Sequence, residues 1–443
     1  MGAFVKVLYV VVGAELAFFV FLALLDQQRD QVGLDGNGAD QVDVDVPDEL
    51  FEHGAVASDA ATCSEIGREI VDDDNNVLTE NDVIQRPQLA VTLRAVADGG
   101  ADAFYTGEIA KNLVKDIQGA GGSMTEEDLA NYRVKVTRPL NISLPGGLFL
   151  LTSPAPSGGP ILSLTLNILE GYALNASAID DDDNKALTYH RMIEAFQVAS
   201  DQGNLLGDQT FLNSEQITAR MTSKPFAASL RSEMDTSRSR ATRSANRGSV
   251  FATTNHRGTH VSVLGPNNDA VSITTGTSST GRQCLSTSTG IILNSHTSPR
   301  KQRTRRGRPN PANIVRPGER PRTAMSPTII VDSRGDVKLV IGASGGQQLI
   351  PTLAETIVRY LWLGMNLTSA IEKPRLLPAD DGISFKYEKD RPFKPEAVLN
   401  QLEREYGRAA PEENQATVEA VARENSAVFA HSDSRNGGFP SGF

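Results

Sequence analysis

The sequence predicts an α+β fold, and two observations carry that prediction. Before residue 258, apolar residues recur three and four apart, the spacing of helices that bury one face. After it, short runs alternate apolar and polar about turns rich in Gly, Pro and Asn, as strands do. Hydrophobic residues make up 39% of the 443, enough for a real core, and the length suits two or three domains or one large unit. The formal charge of −11 argues against nucleic acid as the main partner. The 2 cysteines, Cys63 and Cys284, form neither a CxxC nor a zinc spacing, so they signal no redox or metal chemistry. In a secreted body they could pair with each other.

Val7 to Leu25 is almost wholly apolar, interrupted by Glu15, and its nineteen residues match the length that spans a bilayer. It lacks a small-x-small cleavage site, which favours an uncleaved N-terminal anchor over a signal peptide. Residues 1–29 are therefore read as the anchor. Residues 30–83 are acidic in their first half, show no sustained period, and read as a linker or stalk. Three sequons lie beyond the anchor, at Asn141, Asn175 and Asn366; together they point to a lumenal or extracellular body.

Ordered sequence is expected from about Ile84. Pro87 to Ala97 reads as a helix stopped by Gly99-Gly100, and Glu108 to Gln118 as a second, with Thr106 as its N-cap. Thr125-Glu126-Glu127-Asp128 has the form of another helix start. Asn141 to Thr152 alternates as two strands about Pro145-Gly146-Gly147. Ser153 to Pro160 must be a shaped loop, because Pro removes donors and Gly loosens the backbone. Pro160 suits the first turn of an apolar helix, Ile161 to Leu169. Leu187 to Ala199 is another helix. It sets His190 and Glu194 four apart on one face, a pair that reads as structural without a third ligand. Ser232 to Arg247 lacks a core face and reads as an exposed, cleavable segment.

Strands follow. Val261–Leu264 and Ala270–Thr274 flank the turn Gly265–Asn268, and Gly290–Asn294 is a third strand. Arg300 to Arg308 is strongly basic and reads as a solvated loop. Thr328–Val331 and Val337–Ile341 make a second hairpin that runs into Gly342-Ala343-Ser344-Gly345-Gly346. Thr352 to Leu363 is a helix with Leu353, Ile357 and Leu361 on one stripe. A Gly-Gly step between strand and helix leaves free N–H groups aimed at one point, which suits an anion or oxyanion. The tail, His431 to Gly438, is too polar for a core strand yet dense in hydrogen-bonding groups.

One stretch, Arg257-Gly258-Thr259-His260-Val261-Ser262-Val263, has the form of a loop entering a buried strand. A threonine at the head of a strand becomes a nucleophile if the chain is cut just before it. The freed α-amine, with a pKa of roughly 8, then takes the proton of its own hydroxyl.

Several of these stretches together resemble the γ-glutamyltransferase (glutathione hydrolase) family. They are Ala103-Phe104-Tyr105, Val114–Gln118, Pro139–Leu144, the Ser153–Pro160 loop, Leu187–Arg191, Leu205–Asp208, Met325–Ile329, Gly342–Gly346 and Ser432–Arg435. They fall in family order from about Ile84 to Phe443. The resemblance implies an N-terminal-nucleophile hydrolase, a four-layer αββα sandwich, here incomplete on its N-terminal side. It implies a proenzyme that cuts itself into a large-subunit-like region, 84–257, and a small-subunit-like region, 258–443. The exposed threonine would take the γ-glutamyl group of glutathione or a conjugate and pass it to water, an amino acid or a dipeptide. No cofactor and no metal are implied. Many animal members are single-pass type II proteins of the plasma membrane, in keeping with Val7–Leu25.

Residue by residue the carry-over is uneven. The family's nucleophile region reads Thr, a small residue, His, any residue, Ser or Thr. Aligned without a gap on His260 and Ser262, the nucleophile position is Gly258, which has no hydroxyl; aligned with one residue lost, it is Thr259. Thr259 is the favoured candidate, with Thr275 and Thr277 as supporting hydroxyls. Gly345 and Gly346 would supply the oxyanion hole, Gly346 also touching substrate. The family's Ser-Ser that holds the substrate carboxylate is Thr323-Ala324 here, and its acidic cluster for the substrate amine is replaced by Ser295–Pro299. The family's N-terminal portion, with an arginine that clamps the carboxylate, is also missing. Losing a buried charged partner typically costs a few kcal/mol. Two expectations therefore stand: a γ-glutamyl hydrolase acting through Thr259, or a catalytically impaired, membrane-anchored member that binds or scaffolds.

Overall fold

The computed structural model describes residues 49–51, 55–58, 86–236, 258–276, 284–294, 316, 318–379, 384–391, 393, 396–406, 408–412 and 416–442. Strands β1 (Glu49–Phe51) and β2 (Ala55–Ser58) come first, followed by helices α1 (Pro87–Tyr105), α2 (Glu108–Gly119) and α3 (Glu126–Ala130). β3 (Leu140–Leu144) and β4 (Leu148–Thr152) lead to α4 (Gly159–Glu170), α5 (Asp182–Gly203), α6 (Ser214–Met221) and α7 (Lys224–Thr236). Then come β5 (Gly258–Leu264), β6 (Ala270–Gly276), β7 (Cys284–Leu285), β8 (Ile292–Leu293), β9 (Thr328–Val331) and β10 (Val337–Ser344). The remainder is α8 (Leu349–Leu361), α9 (Leu367–Glu372), β11 (Leu376–Pro378), β12 (Phe385–Glu388), α10 (Glu396–Tyr406), β13 (Ala409–Glu412), β14 (Thr417–Glu424), β15 (Ala427–Ser432) and β16 (Ser441–Gly442).

A 7-stranded sheet, ordered β1-β15-β14-β10-β9-β4-β3, forms the body, and a 4-stranded sheet, ordered β16-β2-β5-β6, lies against one face of it. On the other face of the large sheet, Leu339, Ile341, Ala343, Val418, Ala420 and Ala422 pack into one core with helices α4 and α8, each buried along nearly its whole length. Strand alternation sends the intervening residues to the other side. There Val337, Val340, Val421 and Ala430 meet Leu264 and Ala270 of the small sheet in a second core. Toward one end this second layer turns polar: His260, Ser262, Ser272, Thr274, Thr328, Thr417 and Glu419 are all buried. Helix, large sheet and small sheet are thus stacked in the order the αββα reading requires.

Several local expectations shift. The first helix continues past Gly99 to Tyr105, bending at Gly100, whose φ of 68° a residue with a side chain would resist. Thr106 does not cap α2; Thr106 and Gly107 separate the two helices, Gly107 stands at the N-cap position, and the Thr106 hydroxyl donates back to Asp102 O at the end of α1. The Ser- and Arg-rich stretch beginning at Ser232 starts inside α7, where Ala227, Leu230 and Met234 are buried on one face. Residues 30–83 are not a plain linker: within them β1 pairs with β15, and β2 pairs with β5 and β16, so sheet structure begins before Ile84. The basic run 300–308 lies outside the described residues. So does Val7–Leu25; among the described residues no helix is long and apolar enough to cross a membrane.

Candidate active site

β5 starts at the end of the sandwich where β10 finishes. Leu264, the last residue of β5, packs with Val337 and Val340 at the start of β10. His260, near its beginning, lies over Gly342, where an added Cβ would come within 2.1 Å of the imidazole Cε1. The start of β5 therefore runs toward Ser344 and the turn beyond it. β5 and β6 are antiparallel, with Gly258 opposite Gly276, Thr259 opposite Thr275 and His260 opposite Thr274.

Alternation divides these residues between two faces. His260, Ser262 and Leu264 face the large sheet. Thr259, Val261 and Val263 face the other way, and Thr259 is half-buried. Thr259 and Thr275 are cross-strand neighbours, a separation of roughly 5 Å between Cβ atoms. Gly258 shares the face of His260; a Cβ there would lie 2.4 Å from Thr275 O, so the ladder admits only glycine as it stands. Thr277 lies outside the described residues.

Past Ser344 the chain breaks into Gly345 (φ 112°) and Gly346 (φ 62°), both left-handed, before a short 3-10 turn and α8. Two consecutive glycines at positive φ turn the backbone sharply out of the strand, which explains the Gly-Gly step. The Ser344 and Thr417 hydroxyls meet at 2.9 Å across β10 and β14. Thr323 and Ala324, both buried, run beside the Ser153–Pro160 loop: Thr323 N donates to Pro156 O and Gly158 N to Met325 O, each at 3.1 Å. A Cβ at Gly158 would touch Ala324 O at 2.5 Å and Ile350 Cδ1, in the first turn of α8, at 2.7 Å. The N-terminal ends of two buried helices, α4 and α8, thus meet beside Thr323-Ala324 and close behind Gly345-Gly346. The dipoles of both helices favour negative charge at this corner, whether a carboxylate or a developing oxyanion.

Behind the corner stands a buried ionic network that sequence reasoning did not assemble. Arg375 donates to Asp433 and to Ala416 O, and Asp433 accepts from Val418 N, so the pair fixes the start of β14 next to Ser344. Arg435 reaches Glu388 and Asp433 and caps α9 through Ile371 O, Glu372 O and Lys373 O. Burial works to raise the Glu372 carboxyl. Hydrogen bonds from His431, Ser434 and Arg391 outweigh it and hold the group well below the usual carboxylate range. The visible signal was the charge density of Ser432–Arg435 immediately after an apolar strand. Glu419, a lone carboxylate in the run Ala416–Val421, is likewise fully buried between the sheets.

The other expected residues are dispersed. Asn141 is exposed on the edge strand β3, while Asn175 and Asn366 are exposed N-caps of short helical turns. His190 Nε2 and Glu194 Oε1 lie 3.3 Å apart on α5, and among the described residues no cluster of His, Cys, Asp and Glu is arranged to hold a metal. Cys63 and Ser295–Pro299 lie outside the described residues.

The chain matches the gamma-glutamyltranspeptidase family over residues 54–443. It is 36% identical over 306 residues to Scoloptoxin SSD14 of Scolopendra dehaani, covering 68% of this chain and 53% of that protein. It is 33% identical to Glutathione hydrolase 2 of Arabidopsis thaliana, covering 82% of this chain and 65% of the other. The fold is shared with cephalosporin acylase from Bacillus halodurans, with a TM-score of 0.70 at 19% identity over 87% of this chain and 70% of that one. The chain thus spans between about half and two thirds of the length of these curated relatives. With a core that places a strand-initial Gly-Thr step at the same end as a Gly-Gly turn, and with a match that runs through nearly all of that core, the chain belongs to the gamma-glutamyltranspeptidase family.

Proposed function

We propose that the chain cleaves the γ-glutamyl bond of glutathione and its conjugates through an ester on Thr259, after cutting its own backbone between Gly258 and Thr259. The observation that carries this reading is the position of Thr259, second in β5 and opposite Thr275, at the end of the sandwich where β10 gives way to Gly345-Gly346. In the cut chain the Thr259 α-amine takes the hydroxyl proton as the oxygen attacks the γ-carbonyl carbon. The Gly345 and Gly346 N–H groups stabilise the oxyanion. The intermediate collapses to the ester, and the protonated amine returns its proton to the departing amine. Water, an amino acid or a dipeptide then attacks the ester and restores the hydroxyl. Thr275 and Thr277 orient the nucleophile, while Thr323 and the helix N-termini at Ala324 and Gly346 take the substrate carboxylate. The chain up to Gly258 and the chain from Thr259 onward become the two subunits.

One observation favours a second reading, a non-catalytic member that binds or scaffolds. In the uncut strand Thr259 faces away from His260, and the position two before His260, on its own face, is Gly258. Catalysis requires the new chain end, released from the Gly258–Gly276 pairing, to swing its hydroxyl toward the turn. A denaturing gel separates the two readings. Self-cleavage gives two fragments from the 47.5 kDa chain, and a Thr259→Ala substitution abolishes both the cut and hydrolysis of a γ-glutamyl anilide. An intact chain with no anilide turnover supports the scaffold, and turnover that survives Thr259→Ala rejects Thr259 as nucleophile.

The apolar stretch Val7–Leu25 supports a type II anchor that holds the body outside the plasma membrane, with glycans on Asn141, Asn175 and Asn366. Removing residues 1–29 should move the protein from the membrane to the soluble fraction, and glycosidase treatment should lower its apparent mass. A protein that stays in the membrane fraction without residues 1–29 is anchored by something else.

A further inference from the structure

His260 is fully buried in the polar layer between the sheets. Its Nδ1 lies 2.8 Å from Thr274 Oγ1, and its Nε2 lies 3.0 Å from Ser262 Oγ and 3.4 Å from Ser272 Oγ. The two serines decide where the ring proton sits. Ser262 donates its hydroxyl proton to Glu419 O at 2.9 Å, and Ser272 donates to Ile341 O at 3.2 Å. A carbonyl oxygen only accepts, and a hydroxyl has one proton. Toward the imidazole, both serine oxygens can therefore only accept, so Nε2 carries the hydrogen. A neutral imidazole has one N–H. Nδ1 is then an acceptor, and the Thr274 hydroxyl proton must point at it.

We infer that His260 is a positioning residue, locked as the neutral Nε2–H tautomer, that pins the start of β5 to both its partner strand and the facing sheet. One side of the ring orients Thr274 on β6. The other reaches β14 through Ser262 and β10 through Ser272, and Thr328 N closes the arrangement by donating to Ser272 Oγ at 3.1 Å. Gly342 is part of the device, since its missing Cβ makes room for the ring. The residue before it on β5 is Thr259, so the ring fixes the strand from which, in the proposed reaction, that hydroxyl swings toward the Gly345-Gly346 turn. The arrangement leaves His260 no role as a base. The Nδ1 lone pair is occupied by Thr274 and Nε2 faces two serines, which leaves proton transfer to the Thr259 amine. That last consequence rests on the proposed reaction; the tautomer does not.

The test uses the full chain labelled with 15N at histidine, the His260 signals being assigned by their loss in His260→Gln. Long-range 1H–15N correlations at neutral pH should show a protonated Nε2 and a bare Nδ1. An Nδ1–H tautomer, or a doubly protonated ring, overturns the inference whether or not the protein is an enzyme. Thr274→Val, which keeps the shape and removes the donor, should mix the two tautomers while the other histidines keep their signals; an unchanged His260 signal would also overturn it. If the wild type releases anilide from a γ-glutamyl anilide, Thr274→Val should lower kcat by about tenfold or more with KM little changed, the mark of a misplaced strand. Wild-type silence in that assay counts against the proposed reaction alone.

Discussion

Arg375 and Asp433 meet in the core of the protein with neither side chain exposed to solvent. They are 58 residues apart in the chain, and they fasten the loop after β15 to the start of β14. Taking Asp433 away leaves the buried Arg375 charge without its carboxylate, which typically costs about 3–5 kcal/mol, whereas without Arg375 the Asp433 carboxylate still accepts from Arg435. Asp433→Ala should therefore lower the urea midpoint steeply, and Arg375→Met should lower it less. Replacing both, by Arg375→Met with Asp433→Leu, should recover much of the loss, because a buried pair often breaks even against apolar groups of similar size. A double variant as unstable as the sum of the two singles would show that the pair does not act as a unit.

Protonation of buried groups gives a second expectation. Burial depresses His260 from 6.5 to about 3, so between those values the unfolded chain binds the extra proton. Stability from this group is complete above pH 6.5 and is lost as pH falls through the window, by about 1.4 kcal/mol per pH unit. Glu355 has the opposite sign. Burial raises it from 4.5 to about 6 despite the adjacent Arg359, so between pH 6 and 4.5 the folded state holds the proton and gains stability as pH falls. The two slopes oppose each other from pH 6 to 4.5. Below 4.5 only losses remain, from His260 and from carboxylates such as Glu372 whose pKa is held low in the fold. Urea titrations should show a shallow plateau down to about pH 4.5 and then a steep fall. In Glu355→Gln, measured by slope rather than by absolute stability, the fall should begin near pH 6.5. A plateau that survives this substitution would mean Glu355 titrates normally.

The contact between Gly342 and His260 makes a third. A methyl group at position 342 would sit 2.1 Å from the ring carbon Cε1, so something must move. Overpacking of this kind usually costs about 1–3 kcal/mol. Here the displaced ring also loses bonds to Thr274 and Ser262 of about 1 kcal/mol each. Gly342→Ala should be less stable than Gly335→Ala is by comparison in packing terms, although Gly335 carries its own cost from a φ of 87°. Combining Gly342→Ala with His260→Ala should cost less than the sum of the two, since the clash is gone. Strict additivity would place the ring elsewhere.

These relationships were legible in the sequence to different degrees, and the reason is reach. The stripe Leu353, Ile357, Leu361 is local, and α8 appears where it predicts, with its first two buried in the helix-side core. Hairpins β5–β6 and β9–β10 follow from turn residues a few positions apart. Thr106 failed as a cap because the helix before it runs longer than its glycines suggest, a tertiary choice at Gly100. α7 was missed altogether because its buried Ala227, Leu230 and Met234 are few and stand among Ser, Arg and Glu. For the site, residue types were legible and faces were not. Whether Thr259 or Gly258 shares a side with His260 depends on pairing with β6 and on Gly342 in the other sheet, neither of which the heptapeptide contains.

The connectivity yields the last prediction. A cut before Thr259 separates β1 to β4 and helices α1 to α7 from everything after. Yet the large sheet interleaves the two pieces: β4 pairs with β9 from Phe149 opposite Val331 to Thr152 opposite Thr328, and β1 pairs with β15. The small sheet does the same, with β2 against β5. On the outside, Asp116 of α2 accepts from Ser286 Oγ and Ser288 N, and Thr92 of α1 donates to Thr289 O, tying the β7–β8 hairpin to the earlier helices. Helices α4 and α8, one from each side of the cut, share a single apolar core. The pieces therefore hold by buried area and ladder bonds, which salt does not screen. A specific protease site placed between Ser237 and Arg257 allows the test even in a chain that does not cut itself. After digestion, a denaturing gel should show two fragments while gel filtration in 1 M salt, a Debye length of about 3 Å, shows one species of unchanged size. Two separated peaks under those conditions would mean that the sheet pairing across the cut does not hold the halves together.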